Sequence, residues 1–387
     1  RLRHPIFALS SKKINLFTAL LNVNSLVALE NISVLNGQVN MELGPATSFN
    51  VQNINFNIYS NRLLRSTNKE GLRNAVEHLS FSKGILKIKD ITAQLQNARY
   101  TGSNLIYADR VDVRSQSNTV KATINNVYLD NLLLDDAAEA VEVDGIGWES
   151  ATVALSALGR GGGAGSNNGS LHLRNVDGKR SKVQLGTGNV YISTFIETLT
   201  ASTIIKMGSE PLQVEGFNVA GHSFMMVGKA IHVTADSYNL SGNAPSSLNG
   251  VQVSQIKGRD SFSIQSPQLL FSANLNDIIA NNLLFANVQA ISPVIRFHKW
   301  DTPTTSTSAD AKTASYLRID KLTSTEPDIL IATHRNDSTA SIKFPRSDNS
   351  TVQATGIVIS DAGTQLGSLL VNTTSAIFVK TSGEVLG

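Results

Sequence analysis

Seven histidines and one run of carboxylates are the side chains in this 387-residue sequence that chemistry would draw on first. The histidines are dispersed: His4, His78, His172, His222, His232, His298 and His334. A metal site needs imidazole, thiolate or carboxylate ligands brought together in a fixed geometry. The nearest histidine pair, His222 and His232, is ten residues apart with no Asp or Glu at ligand spacing. Exposed or packing histidines are the expected outcome. The run 135-DDAAEAVEVD-144 offers the several oxygen ligands that calcium prefers, but its spacing fits no EF-hand-type loop and reads as a solvated charged turn. The stretch 159-GRGGGAGSNNG-169 is followed by no Gly-Lys-Ser/Thr, so it is expected to be a flexible loop rather than a phosphate cradle. No Gly-x-Ser-x-Gly elbow frames a nucleophile. No cysteine is present, which removes disulfides and thiol chemistry. The expectation is a chain with no catalytic centre, no cofactor and no metal.

What the sequence does supply is architecture. Charged residues make up only 16% and apolar residues 41%, so Ser, Thr, Asn and Gln carry much of the polar surface. The net charge is +3 and no basic run has interleaved aromatics, which argues against a nucleic-acid partner. Strict alternation dominates from residue 28 onward. In 51-VQNINFNIYS-60, Ile54, Phe56 and Ile58 share one face and asparagines the other. The runs 36-NGQVNMEL-43, 84-GILKIKDI-91, 105-LIYADRVDV-113 and 120-VKATINNVYLDNLLL-134 read as strands of the same kind, as do 251-VQVSQIKG-258 and 261-SFSIQS-266. Helical spacing is confined to two places, near 14–30 and 68–80.

The expected fold is therefore mainly β: a long, strongly curved, mostly antiparallel sheet with one or two short helices. A right-handed parallel β-helix is the alternative. The expected organisation is a first β section over 1–158, the Gly-rich loop at 159–169 and a second β section over 170–300. A Ser/Thr-rich linker at 301–315 and a final strand-rich section over 316–387 follow. Both linkers lack the apolar content to offset the entropy of ordering and are expected to be exposed.

The phrases 317-LRIDKLTSTEPDILIA-332, 29-LENISVLNGQVNME-42 and 79-LSFSKGILKIKD-90 resemble the repeated unit of AsmA-like envelope proteins, relatives of TamB. The phrase 104-NLIYADRVDVRSQSNTVKATINNVYLDNL-132 is similar to that family's paired strands. The likeness runs from about Leu26 to Val371 through degenerate motifs. The family usually begins with a transmembrane helix, and no 18-residue apolar run is found here. The resemblance implies a β-groove with an apolar concave face, held in the periplasm by an inner-membrane anchor outside this chain. It implies a non-enzymatic role in moving phospholipid or another acyl lipid between membranes, or in outer-membrane assembly, with envelope membrane proteins as further partners.

A conduit of this type needs alternation rather than catalytic residues. The residues expected to line it are Leu86, Ile88, Val127, Leu129, Ile231, Val233, Val251, Val253, Phe262, Ile264, Leu269, Phe271, Ile329 and Ile331. The same residues would fill the core of an ordinary β-protein, so a surface adhesin is the first alternative function. A β-helix enzyme acting on polysaccharides is the second. Such an enzyme should concentrate charge and aromatics in one groove, whereas Trp148 and Trp300 stand in no charged cluster of the sequence.

Overall fold

The computed structural model describes the chain apart from residues 1, 4–5, 11–29, 45–46, 66–73, 102–103, 136–139, 157–169, 187–189, 209, 211, 229–230, 273–283, 301–314, 336–337, 361–362 and 382–387. Both linkers, apart from Ser315, and the helix expected near 14–30, apart from Glu30, lie outside the described residues. Two compact units are formed, one by Arg1–Lys182 with Ala201–Glu210, the other by Val183–Thr200 with Pro211–Gly387.

The first unit is an antiparallel meander. Strands β1 (Leu2–Arg3) and β2 (Ile6–Ser10) lie parallel to β3 (Asn31–Gly44) at its edge. From β3 the sheet runs through β4 (Thr47–Tyr59), β5 (Val76–Ile88), β6 (Ile91–Thr101), β7 (Leu105–Ser115) and β8 (Val120–Asp130), each antiparallel to the last. Strands β11 (Gly145–Trp148) and β12 (Ser150–Ser156) pair with β8. Strand β9 (Leu133–Asp135) pairs with β10 (Ala140–Val143), and β10 and β11 run parallel to β13 (Ser170–Gly186). Helix α1 (Ser60–Arg65) follows β4, and Asn74 and Ala75 are also helical.

The second unit repeats the plan. Strands β14 (Val190–Met207), β16 (Asn218–Gly228), β17 (Ile231–Ser241), β18 (Ser246–Lys257) and β19 (Asp260–Phe271) form an antiparallel series, with short β15 (Gln213–Glu215) before β16. Beyond β19 the strands come as broken pairs: β20 (Leu284–Ile291) with β21 (Val294–Trp300), and β22 (Ser315–Thr325) with β23 (Asp328–Arg335). These two pairs run parallel to each other. Strands β24 (Ser338–Phe344) and β25 (Thr351–Ser360) return antiparallel, followed by β26 (Gly363–Gln365), β27 (Ser368–Asn372) and β28 (Ile377–Thr381). The fold is thus nearly all β and mostly antiparallel, with parallel neighbours and stacked bends that give it a solenoid-like character.

The bends follow a rule. In β4, Val51 and Ile54 are both buried although three residues apart, while Gln52 and Asn53 between them are exposed. Asn53 takes the left-handed conformation (φ 54°), as do Asn36, Asn97 and Asn126 in β3, β6 and β8. One such residue lets a strand turn a corner and resume its apolar alternation on the same face after a step of three. Asparagine tolerates this conformation best among residues with a Cβ. Neighbouring strands bend at the same level, so unpaired residues meet: β4 and β5 are in register at Gln52–Lys83 and again at Asn55–Ser80. The asparagine side chains then stitch the crease together. Asn53 Nδ2 donates to Ser82 Oγ (2.9 Å), Asn97 Nδ2 to Asp109 Oδ2 (3.0 Å) and Asn126 Nδ2 to Glu149 Oε2 (2.9 Å).

The second unit creases at Ser223, Gly250, Ser292, Glu326 and Asn349, all with positive φ. Pro267, Pro293 and Pro327 sit at this level, where a ladder donor is missing anyway. Ser292 N–H donates to Thr325 O (2.9 Å) and Glu326 N–H to Ser350 O (2.9 Å), which carries the backbone pairing across the bend.

Two expectations are corrected. Of the helix expected near 68–80, residues 68–73 lie outside the described residues and Asn74 and Ala75 are helical, but residues 76–80 begin β5, because Val76 and Leu79 pair with Ile58 and Phe56 of β4. From Val76 onward cross-strand pairing outweighs the helical spacing. The run 84–91, read as one strand, contains a hairpin turn at Lys89–Asp90, with Ile88 opposite Ile91.

The crease is testable at Gly250, where φ is +61° and an added Cβ would lie 2.0 Å from Asp236 Oδ2. Gly250→Ala is expected to lower stability by about 1–3 kcal/mol, from left-handed strain plus the clash. Adding Asp236→Ala should recover only the steric part. Urea midpoints of the two variants measure both contributions.

Candidate functional site

The rule of three at each crease keeps one face of the sheet apolar from end to end. In the second unit, Ile192, Met226, Val233, Val253, Ile264, Ile295, Ile329 and Phe344 follow one another in direct register across eight strands. Four residues expected to line a groove, Val233, Val253, Ile264 and Ile329, therefore stand in one row. Phe262 and Ile331 flank Phe297 in the next row. Across the crease, Leu269 pairs with Leu248 and Ala290, and Phe271 pairs with Val288 and meets Phe285 edge-on at 5.1 Å. Ile231 and Val251 stand opposite Gln255 and Ser266. Ile231, Val251, Val253 and Phe271 belong to a buried cluster with Val288, Leu322, Ile357 and Ile359. Ile329 is buried as well. Around this cluster the apolar face is packed, while Ile192, Val233, Ile264, Ile295 and Phe344 of the row are half-buried.

A row of the same kind crosses the first unit. Phe49, Leu86, Ala93, Val113, Ala122 and Val153 stand in register across β4, β5, β6, β7, β8 and β12. All six are half-buried. Ile88, two residues from Leu86, is 45% exposed. Beyond the crease Val127 is opposite Ala108, and Leu129 lies between Ile106 and Ile146. Sequence reading named Leu86 and Ile88 but missed their row partners Phe49, Ala93, Val113 and Val153. Alternation was visible in each strand; which apolar residues align depends on register, and register depends on the turns.

The histidines divide differently from their spacing. His222 and His232 are not brought together: His222 pairs in register with Ser237, and His232 with Val227. His222 instead stacks on Phe195 (4.8 Å) and meets Glu197 at 3.2 Å. His298 and His334, 36 residues apart, do meet, because β21 and β23 run parallel in register with His298 beside Ala332 and Trp300 beside His334. His298 Nδ1 is 3.1 Å from His334 Nε2, and His334 Nδ1 is 3.0 Å from Thr339 Oγ1. Trp300 stacks on His334 at 4.2 Å, with the Arg259 guanidinium 5.4 Å from its ring centre. Asp260 accepts from Lys299 Nζ (2.6 Å) and from Trp300 N–H (2.8 Å). Trp300 thus does stand in a charged cluster, assembled by the β18–β19 turn and invisible in its own segment.

With His334 Nδ1–H donating to Thr339, its Nε2 accepts from His298 Nδ1–H. Protonating both rings would face two donors at one another. Burial first, then His334 and Arg296, hold the His298 imidazole below its ordinary value of 6.5. Among the described residues, no three His, Asp or Glu side chains gather as a metal site would require. In the acidic run, Glu142 and Asp144 turn to Arg174 (3.5 and 2.6 Å). A cavity of about 240 Å³ is lined by Gln289, Thr323 and Asn372 together with Val352 and Leu370, and more of its wall is apolar than polar.

No protein-family model, curated protein or solved structure matches the chain. Among the described residues no helix is long and apolar enough to cross a membrane.

The His298 geometry sets a pH dependence. Below pH 6.5 the unfolded chain binds a proton at this site that the folded chain resists, so stability rises with pH across the window beneath 6.5 and falls as pH drops through it. The melting temperature is expected to decline from pH 7 to pH 5, and His298→Gln is expected to shallow that decline. An identical profile for the variant would remove His298 as the cause.

Proposed function

We propose that this chain is a non-enzymatic apolar β-groove that shelters the acyl chains of phospholipid or a similar lipid, the role implied by its resemblance to AsmA-like envelope proteins. In this reading it works in the periplasm as part of a membrane-anchored protein, moving lipid between membranes or supporting outer-membrane assembly. The observation that carries it is the row from Phe49 to Val153, six apolar side chains in register that stay half-buried on a sheet whose other face is polar. A continuous apolar strip left partly open on a folded protein marks a surface that meets something apolar. An acyl chain laid along it gains about 0.8 kcal/mol per buried methylene. A strip running across strands, rather than a closed pocket, suits a long chain of unfixed length.

The two units offer an internal contrast. Val113→Asp places a carboxylate on the open row, where it reaches water; the fold is expected to survive with a stability change near or below about 1 kcal/mol. Phe271→Asp places one inside the packed cluster and is expected to cost at least about 3 kcal/mol. Phospholipid carried through purification, measured by mass spectrometry, should fall sharply in folded Val113→Asp. A wild-type protein that neither retains lipid nor takes up a fluorescent phospholipid would overturn the reading. So would a folded Val113→Asp with undiminished lipid.

A further inference from the structure

The face of the first unit opposite the apolar row carries its own pattern. Between the crease and the hairpin turns, three rows cross β5, β6, β7 and β8 on this side. They are Lys87–Thr92–Arg114–Lys121, Ile85–Gln94–Asp112–Thr123 and Lys83–Gln96–Arg110–Asn125. Five of these residues are cations, and one is an anion. The whole chain has a net charge of only +3, so this small area is more positive than the protein that contains it. Asp112 is already engaged: Arg110 binds it through two nitrogens (2.8 and 2.9 Å), and Thr123 Oγ1 donates to it (2.7 Å). Lys83, Lys87, Arg114 and Lys121 are all exposed.

Arg114 and Lys121 stand directly opposite one another, with Lys87 two strands from Arg114 on the same row, beyond Thr92. Like charges facing across a strand pair destabilise a sheet, and a neutral or acidic residue in place of Arg114 or Lys121 would relieve them. A negatively charged surface meeting this face would offset that repulsion. The face presents no aromatic ring over these rows, so it lacks the stacking platform that single-stranded nucleic acids use. It is an area of point charges spaced by Thr and Gln, able to meet many phosphates at once without selecting a particular shape.

We infer that this outer face docks on the surface of an anionic phospholipid bilayer. Lys87, Arg114 and Lys121 make the principal contacts to headgroup phosphates, and Lys83 and Arg110 contribute from the row nearer the crease. The attraction is electrostatic, falls off within a Debye length and weakens with salt. The apolar row would then face away from the headgroups while the sheet is held beside its lipid source. This inference is independent of the acyl-chain reading, because it uses only the charge on the opposite face.

Co-sedimentation of the full chain with phosphatidylcholine vesicles, with and without phosphatidylglycerol, tests it. Binding is expected only with the anionic lipid, declining with salt and not displaced by inorganic phosphate at matched ionic strength. Each basic side chain near such a surface contributes roughly a fivefold factor, so a K87Q/R114Q/K121Q variant should bind about a hundredfold more weakly. The charge-keeping K87R/K121R variant should bind and melt like the wild type, and the triple variant should melt no lower than the wild type. Equal binding to neutral vesicles, undiminished binding by the triple variant, or loss of binding in K87R/K121R would overturn the inference. So would a single-stranded oligonucleotide or inorganic phosphate that displaces the vesicles. Vesicle binding by a protein that carries no lipid would sink the groove and leave this surface standing.

Discussion

A sheet that bends sharply must keep its ladder hydrogen bonds while every strand changes direction, and this constraint organises the molecule. An unpaired backbone group in the interior is costly, so a bend is tolerable only if all neighbouring strands bend together. In the first unit the left-handed asparagines of β4, β6 and β8 meet this demand: each turns its own strand, and its side-chain amide donates to a neighbouring segment, Ser82 of β5, Asp109 of β7 or Glu149 between β11 and β12. In the second unit glycine, serine and proline do the same work with backbone bonds such as Ser292 N–H to Thr325 O. The solution differs between units while the constraint is shared.

The crease also determines the faces. A strand that bent without an inserted residue would carry its apolar set to the opposite side, because side chains alternate with a period of two. The step of three from Val51 to Ile54 prevents this, and the steps from Leu248 to Val251 and from Ile264 across Pro267 to Leu269 follow the same logic. One face can then remain apolar over the whole width of a unit. Around Val251 and Phe271 the face closes on a buried cluster, and along Leu86 and Val113 it is half-buried. The polar face of that half-buried region has gathered cations, so the same four strands present hydrocarbon on one side and positive charge on the other.

The cluster of Trp300, His334, His298 and Arg259 shows how far assembly outruns local sequence. Its members come from β21, β23 and the β18–β19 turn, and the parallel register of β21 with β23 is what sets Trp300 beside His334. The imidazole pair is held by Thr339 on the returning strand β24. None of these neighbours lies at a recognisable sequence spacing, so no motif search would have assembled them.

The sequence by itself determined the class of structure. Alternation, turn residues and scarce helical spacing demanded many half-buried strands, because period-two patterning is local and each strand states its own two faces. It also held the crease signal, a polar pair with Asn at its second place interrupting the alternation, although that signal reads as the end of one strand until the neighbours show that pairing continues. Tertiary structure alone decided which apolar residues form a row, which of them are buried and which half-buried, that residues 76–80 join a strand, and that His298 meets His334 rather than His222 meeting His232. Those outcomes depend on register and on strand order, which are set by contacts between residues distant in the chain, and no single segment carries information about its partner's position.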